Sequence, residues 1–91
     1  MLKIVASKLF RKDLKLAVKR GLDVSKLKSV VDLLSHRKPL DERYKDHELS
    51  GVFKGFRECH IEPDWLLLYR IDDDILKLFL CRTGTHSDLF R

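Results

Sequence analysis

Pro63-Asp64 is the break that most constrains this chain. Before it, Phe56 to Glu62 alternates, with Cys59 and Ile61 on one face and Phe56, Glu58 and His60 on the other. After it, Trp65 to Ile71 is apolar enough for a strand covered on both sides. Proline lacks the N–H that a ladder needs, so the two runs read as hairpin strands turning at Pro63-Asp64. Such a hairpin requires a sheet and a cover for it. It also sets His60 and Asp64 beside one strand joint, where an imidazole and a carboxylate are well placed for proton transfer.

The cover comes from the N-terminal half. Leu2 to Ala6 reads as a short strand, and Ser7 as the N-cap of a helix running to about Arg20. Phe10, Leu14, Ala17 and Val18 recur at helical spacing as its core face, while Lys8, Arg11, Lys12, Lys15 and Lys19 make a basic outer face. Gly21 stops it. A second helix starts near Asp23 to Ser25, turns Leu27, Val30, Val31 and Leu34 inward, and has ended by Pro39. The two form an α-hairpin laid on the sheet.

Leu40 to Ser50 reads as a long polar loop carrying His47, and Gly51 to Gly55 as a brief strand bounded by glycines. Asp72 to Asp74 is the next turn, followed by a last strand, Ile75 to Arg82, with Leu76, Leu78 and Leu80 on its apolar face. Thr85-x-x-Asp88 resembles a capping box opening a short terminal helix, on which His86 and Phe90 share a face. The expected class is α+β, one domain over residues 1–91.

Composition narrows the function. The longest apolar run, Trp65 to Tyr69, is far too short to span a bilayer, and Lys3 interrupts any leader-like start, so the reading is cytoplasmic with no membrane role. The net charge of +5 favours polyanions or an acidic partner. Cys59 and Cys81 fall inside strands as buried free thiols; no Cys-x-x-Cys or His-x-x-x-His spacing supports a metal, and no cofactor is expected. His47, His60, His86, Asp64 and Arg82, on strand ends and loops, form a usable set for RNA cleavage. That chemistry takes a base for the ribose 2′-OH, an acid for the leaving 5′-oxygen and a cation for the charge on phosphorus. Arg82 lies at a strand end, where a guanidinium can reach out to a phosphate. Trp65 and Phe90 either stack on a base or brace the histidines, and Trp65 is equally a core anchor.

Three stretches, Tyr44 to Gly51, Gly55 to Trp65 and Arg82 to Phe90, resemble the YafQ toxins, a branch of the RelE-like superfamily of bacterial toxin–antitoxin systems. The resemblance implies a helical hairpin on a mainly antiparallel sheet with a short C-terminal helix. It also implies an endonuclease acting on mRNA in the ribosomal A site and neutralised by an antitoxin, here expected to be acidic. The family's functional positions fall on His47, His60, Asp64, Trp65, Arg82, His86 and Phe90, with Glu58 where members can carry an aspartate; on that resemblance His86 is expected as the acid, His60 or Asp64 as the base, Arg82 on the phosphate and His47 on the RNA backbone. Phe53 stands where tryptophan is common. Two rivals stay open: a nuclease that cuts free RNA, and a non-catalytic RNA- or protein-binding module on the same basic surface.

Overall fold

The computed structural model describes residues 1–90. Five strands form one sheet: β1 (Lys3–Ala6), β2 (His47–Glu48), β3 (Arg57–Glu62), β4 (Trp65–Asp72) and β5 (Lys77–Gly84), in the order β1-β5-β4-β3-β2. β1 runs parallel to β5, and every other pair is antiparallel. The expected turn at Pro63-Asp64 joins β3 to β4, and a register shift between His60 and Glu62 marks its approach.

Helices α1 (Lys8–Lys19) and α2 (Val24–Ser35) cover one face of the sheet. Ser7 caps α1 by accepting the Phe10 N–H, and Asp23 caps α2 by accepting that of Ser25. Leu27, Val30, Val31 and Leu34 all point into the core, as their spacing requires. There they meet Leu67, Tyr69, Leu78 and Leu80, the apolar positions of β4 and β5. Val18 departs from expectation. It is 60% exposed, because the inward stripe of α1 runs through Phe10, Leu14 and Ala17 and leaves Val18 on the solvent side.

Two local expectations are corrected. Gly51–Phe53 is a 3₁₀ turn and not a strand: Gly51 and Gly55 both take positive φ (65° and 95°), which bends the segment away from any ladder. β5 starts at Lys77 because Leu76 sits in the left-handed region (φ 53°) and completes the turn, so Ile75 and Leu76 are exposed. The polar loop also holds more order than expected, with a 3₁₀ turn at Glu42–Tyr44 followed by β2. Asp46 pins it, accepting hydrogen bonds from the Arg57 guanidinium (3.0 Å) and from the Tyr69 hydroxyl. Among the described residues, no helix is long and apolar enough to cross a membrane.

Candidate active site

The sheet face away from the core cluster gathers most of the candidate residues. Directly opposed residues in neighbouring strands share a face, so the register builds two cross-sheet rows: His47, Glu58, Leu68, Arg82 and His60, Leu66, Gly84. Leu66 and Leu68 form the floor, 0% and 5% exposed. A register shift between Leu68 and Tyr69 leaves Cys81 as the extra residue of β5 and re-aims Arg82 onto this face.

The last short helix, α3 (His86–Leu89), closes one side. Its capping box is complete: Thr85 accepts the Asp88 N–H and Asp88 accepts the Thr85 N–H. Asp88 also takes both ends of the Arg20 guanidinium (2.7 and 3.3 Å), which ties α3 to α1 and holds its carboxyl well below the usual carboxylate range. Gly84 makes this close approach possible, since a Cβ there would meet Asp88 Oδ2 at 2.8 Å.

Asp64, at the hairpin turn, accepts both the backbone N–H of His86 and its ring Nδ1–H, each at 3.1 Å. Those two bonds, the backbone one first, lower the Asp64 pKa, so it is a carboxylate that orients the ring and a poor acceptor of a further proton. The His86 side chain is 57% exposed. The His60 ring lies 5.8 Å away, centroid to centroid. Its Nδ1 donates to the Pro63 carbonyl (3.1 Å). Glu58 Oε1 is 3.3 Å from Nε2, on a side chain only 6% exposed.

Arg82 is held from α1. Asp13 accepts from its Nε (3.1 Å) and Nη2 (2.9 Å), raising the pKa of a group already permanently charged, and leaves Nη1 with one long contact, 3.5 Å to the Asp88 carbonyl. The same carboxylate accepts the Thr83 N–H (3.1 Å), an edge group that β1 would otherwise pair had it not ended at Ala6. Asp13 was invisible to sequence reasoning: one acid in a lysine-rich helix reads as surface.

The structure therefore brings His60, Asp64, Arg82, His86 and Glu58 to one face. His47 shares the face from β2, exposed, with Nδ1 against the Lys45 carbonyl (2.7 Å). Phe90 packs edge-on to Phe53 (5.3 Å) and beside the His86 ring (6.2 Å), so it braces that histidine. Two residues expected at the site, Trp65 and Glu58, are buried. Trp65 is 2% exposed and donates its indole N–H to Thr83 (2.9 Å), which makes it a core anchor with no face free for a base. Glu58 is buried, with its carboxylate against the His60 ring.

Glu58, His60 and His86 also bring one donor atom each within 4.8 Å of one another. Two imidazoles and a carboxylate fit a first-row divalent ion. Bound there, it would supply Lewis acidity while occupying the lone pairs that proton transfer needs. The cysteines take no part; burial pushes the Cys59 thiol up to about 12.

A small sheet with a helical hairpin behind it and an imidazole–carboxylate centre in front defines the class, and solved structures match it closely. A metal-bound toxin from Helicobacter pylori superposes with a TM-score of 0.94 at 52% identity, over 99% of this chain and 100% of that one. The toxin of the Escherichia coli DinJ–YafQ complex superposes at 0.90 with 46% identity, over 100% of both chains. The chain belongs to the YafQ family, described as the bacterial toxin of type II toxin–antitoxin systems, whose sequence model matches residues 2–91. The mRNA interferase toxin YafQ of Escherichia coli K12 is 49% identical over 82 residues, covering 89% of this chain and 87% of that protein.

Proposed function

We propose that this chain is the toxin of a type II pair and an mRNA endoribonuclease in which the substrate's own 2′-OH is the nucleophile. The observation that carries the reading is the facing of two imidazole–carboxylate pairs, Asp64–His86 and Glu58–His60, with ring centroids 5.8 Å apart. His60 Nε2 takes the 2′-OH proton, and Glu58 stabilises the imidazolium so formed. The freed 2′-oxygen attacks phosphorus, and the charge building on the non-bridging oxygens meets the remaining N–H groups of Arg82. His86, oriented through Nδ1 by Asp64, gives its outer proton to the departing 5′-oxygen. The products are a 2′,3′-cyclic phosphate and a 5′-hydroxyl. His47 lies in line with Glu58 and contacts the RNA backbone.

The curated Escherichia coli relative is an mRNA interferase by name, which supports mRNA as the substrate. The proposed setting is cytoplasmic, on messages in the ribosomal A site. The DinJ–YafQ complex of Escherichia coli supports a cognate antitoxin. An acidic one would suit Lys8, Arg11, Lys12, Lys15 and Lys19, all exposed along α1.

End-group mass spectrometry of cleaved RNA is the test. A 5′-hydroxyl beside a cyclic or 3′-phosphate is expected, and a 2′-deoxy residue at the cleavage position should block the cut. A 5′-phosphate, or cleavage of the deoxy substrate, would mean that activated water attacks and would overturn the mechanism. Copper or zinc should inhibit by occupying the histidines, and chelation should leave cleavage of free RNA intact.

A further inference from the structure

Past Glu58, β3 loses its neighbour. β2 pairs only through His47 and Glu48, and upstream of it Lys45 takes a left-handed turn (φ 49°) that swings the chain away from the strand. The gap is a groove of about 450 Å³ between the Glu42–Tyr44 turn, α2 and the β3–β4 turn. Lys26, Arg43, Tyr44, Lys45, His60 and Glu62 line it, and His60 therefore belongs to both the groove and the active site. Tyr44 is half-buried; the Arg43 guanidinium lies 4.8 Å from its ring centroid and donates to its hydroxyl at 2.9 Å. Lys26 pairs with Glu62 at 3.0 Å, which leaves Arg43 and Lys45 as the uncompensated cations. The wall is not soft, because the Asp46 anchor to Arg57 and Tyr69 fixes the loop just after Lys45.

We propose that this groove is a nucleotide subsite: it takes the residue of single-stranded RNA that flanks the scissile phosphate. Its base stacks on the Tyr44–Arg43 surface, and the adjoining phosphate meets Lys45. An aromatic ring and a planar cation offer π-faces that any base can use, and a bare ammonium suits a phosphate. The volume falls within the range of small-ligand sites, and the groove is continuous with the ring assigned as base. This inference rests on the ribonuclease reading, since a flanking nucleotide has meaning only beside a cleaved bond.

The experiment is an abasic scan of a 2′-O-methyl RNA hexamer, uncleavable and containing the cleavage position, titrated by fluorescence anisotropy against the full chain. With the wild-type protein, removing the base next to the cleavage position should weaken binding about tenfold or more. With Tyr44→Ala, that same position should become silent while the other positions keep their effects. The paired variant Arg43→Ala with Lys45→Ala should flatten the salt dependence, reducing the slope of log K against log salt by about 0.7 for each lost phosphate contact. Both residues are exposed, so this variant keeps the fold even if Tyr44→Ala does not, and Tyr44→Leu serves as a second ring-free variant. An unchanged abasic profile in the Tyr44 variants, or an unchanged salt slope in the paired one, would overturn the proposal. So would displacement by an acidic peptide with no abasic effect, which would make the groove a protein-docking site. If the Tyr44-dependent profile appears but the unmodified hexamer is not cleaved, alone or presented on ribosomes, the groove binds RNA, while the nuclease reading and the place of the groove beside a cleaved bond both fall.

Discussion

The two faces of the sheet are held by different forces. On the helix face, Leu67, Tyr69 and Leu78 are 0–1% exposed against α1 and α2, and apolar burial does the holding. On the other face a two-leucine floor is overlaid by charge, Glu58 on His60 and Asp64 on His86, and α1 reaches round the sheet edge to it through the Asp13–Arg82 and Arg20–Asp88 pairs. Ion pairs of this kind add little net stability once desolvation is set against attraction, but they fix direction. One face keeps the chain folded, and the other keeps acids, bases and a cation aimed.

That contrast breaks most sharply at His86. His86→Gln should lower cleavage by about 10²–10⁴-fold, the range for losing a general acid, and leave the melting temperature nearly unchanged because the side chain is exposed. Single-turnover cleavage and calorimetry on one sample check both halves; normal cleavage by a folded variant would remove His86 from the mechanism. Leu67→Ala is the converse. It should cost about 2–5 kcal/mol of stability in urea titration, while the folded fraction keeps its rate constant.

Asp13→Asn sharpens the comparison, because Asp13 stands on α1 and acts across the sheet edge. Loss of the charged acceptor for Arg82 should slow cleavage about tenfold. In an Arg82→Ala background the same change should do almost nothing more, since Asp13 would act through Arg82. Full additivity in that cycle would reduce Asp13 to a cap on the Thr83 N–H.

The smallest effects are in pH. Asp64 and Asp88 titrate below the unfolded carboxylate value, so their contribution is present above about pH 4 and lost as pH falls through the folded values. Cys59, on the helix face, titrates near 12 instead of its ordinary 9, so its contribution is full below about 9 and lost between there and 12. Melting curves from pH 3 to 11 should therefore droop at both ends. Asp88→Asn should flatten the acid limb, and Cys59→Ala the alkaline one.

Much of this was legible in the residues. Alternation, the proline break and the capping box place β3, β4 and α3, because those signals are local. What escaped was set by neighbours far along the chain. Val18 is apolar yet exposed, because the packing direction of α1 depends on β5. Trp65 reads from sequence as either a stacking ring or a core anchor, and only the central place of β4 decides for the core. Glycines flank 51–55 as they would flank a short strand, and only the lack of a ladder partner decides for a turn. The Glu58–His60–His86 cluster combines a two-residue strand spacing with a helix that arrives from 26 positions later, so no spacing rule could find it.

The parallel pairing of β1 with β5 has a consequence in time. Ser7 bonds to Cys81 across 74 positions, and β1 has no other partner in the sheet. During synthesis the first strand and the helical hairpin wait until β5 has been made, and such non-local pairing is slow to form. Arg82 and His86 belong to that same last segment. The face that carries them is therefore assembled only after β5 and α3 have been made, and every earlier element waits on them.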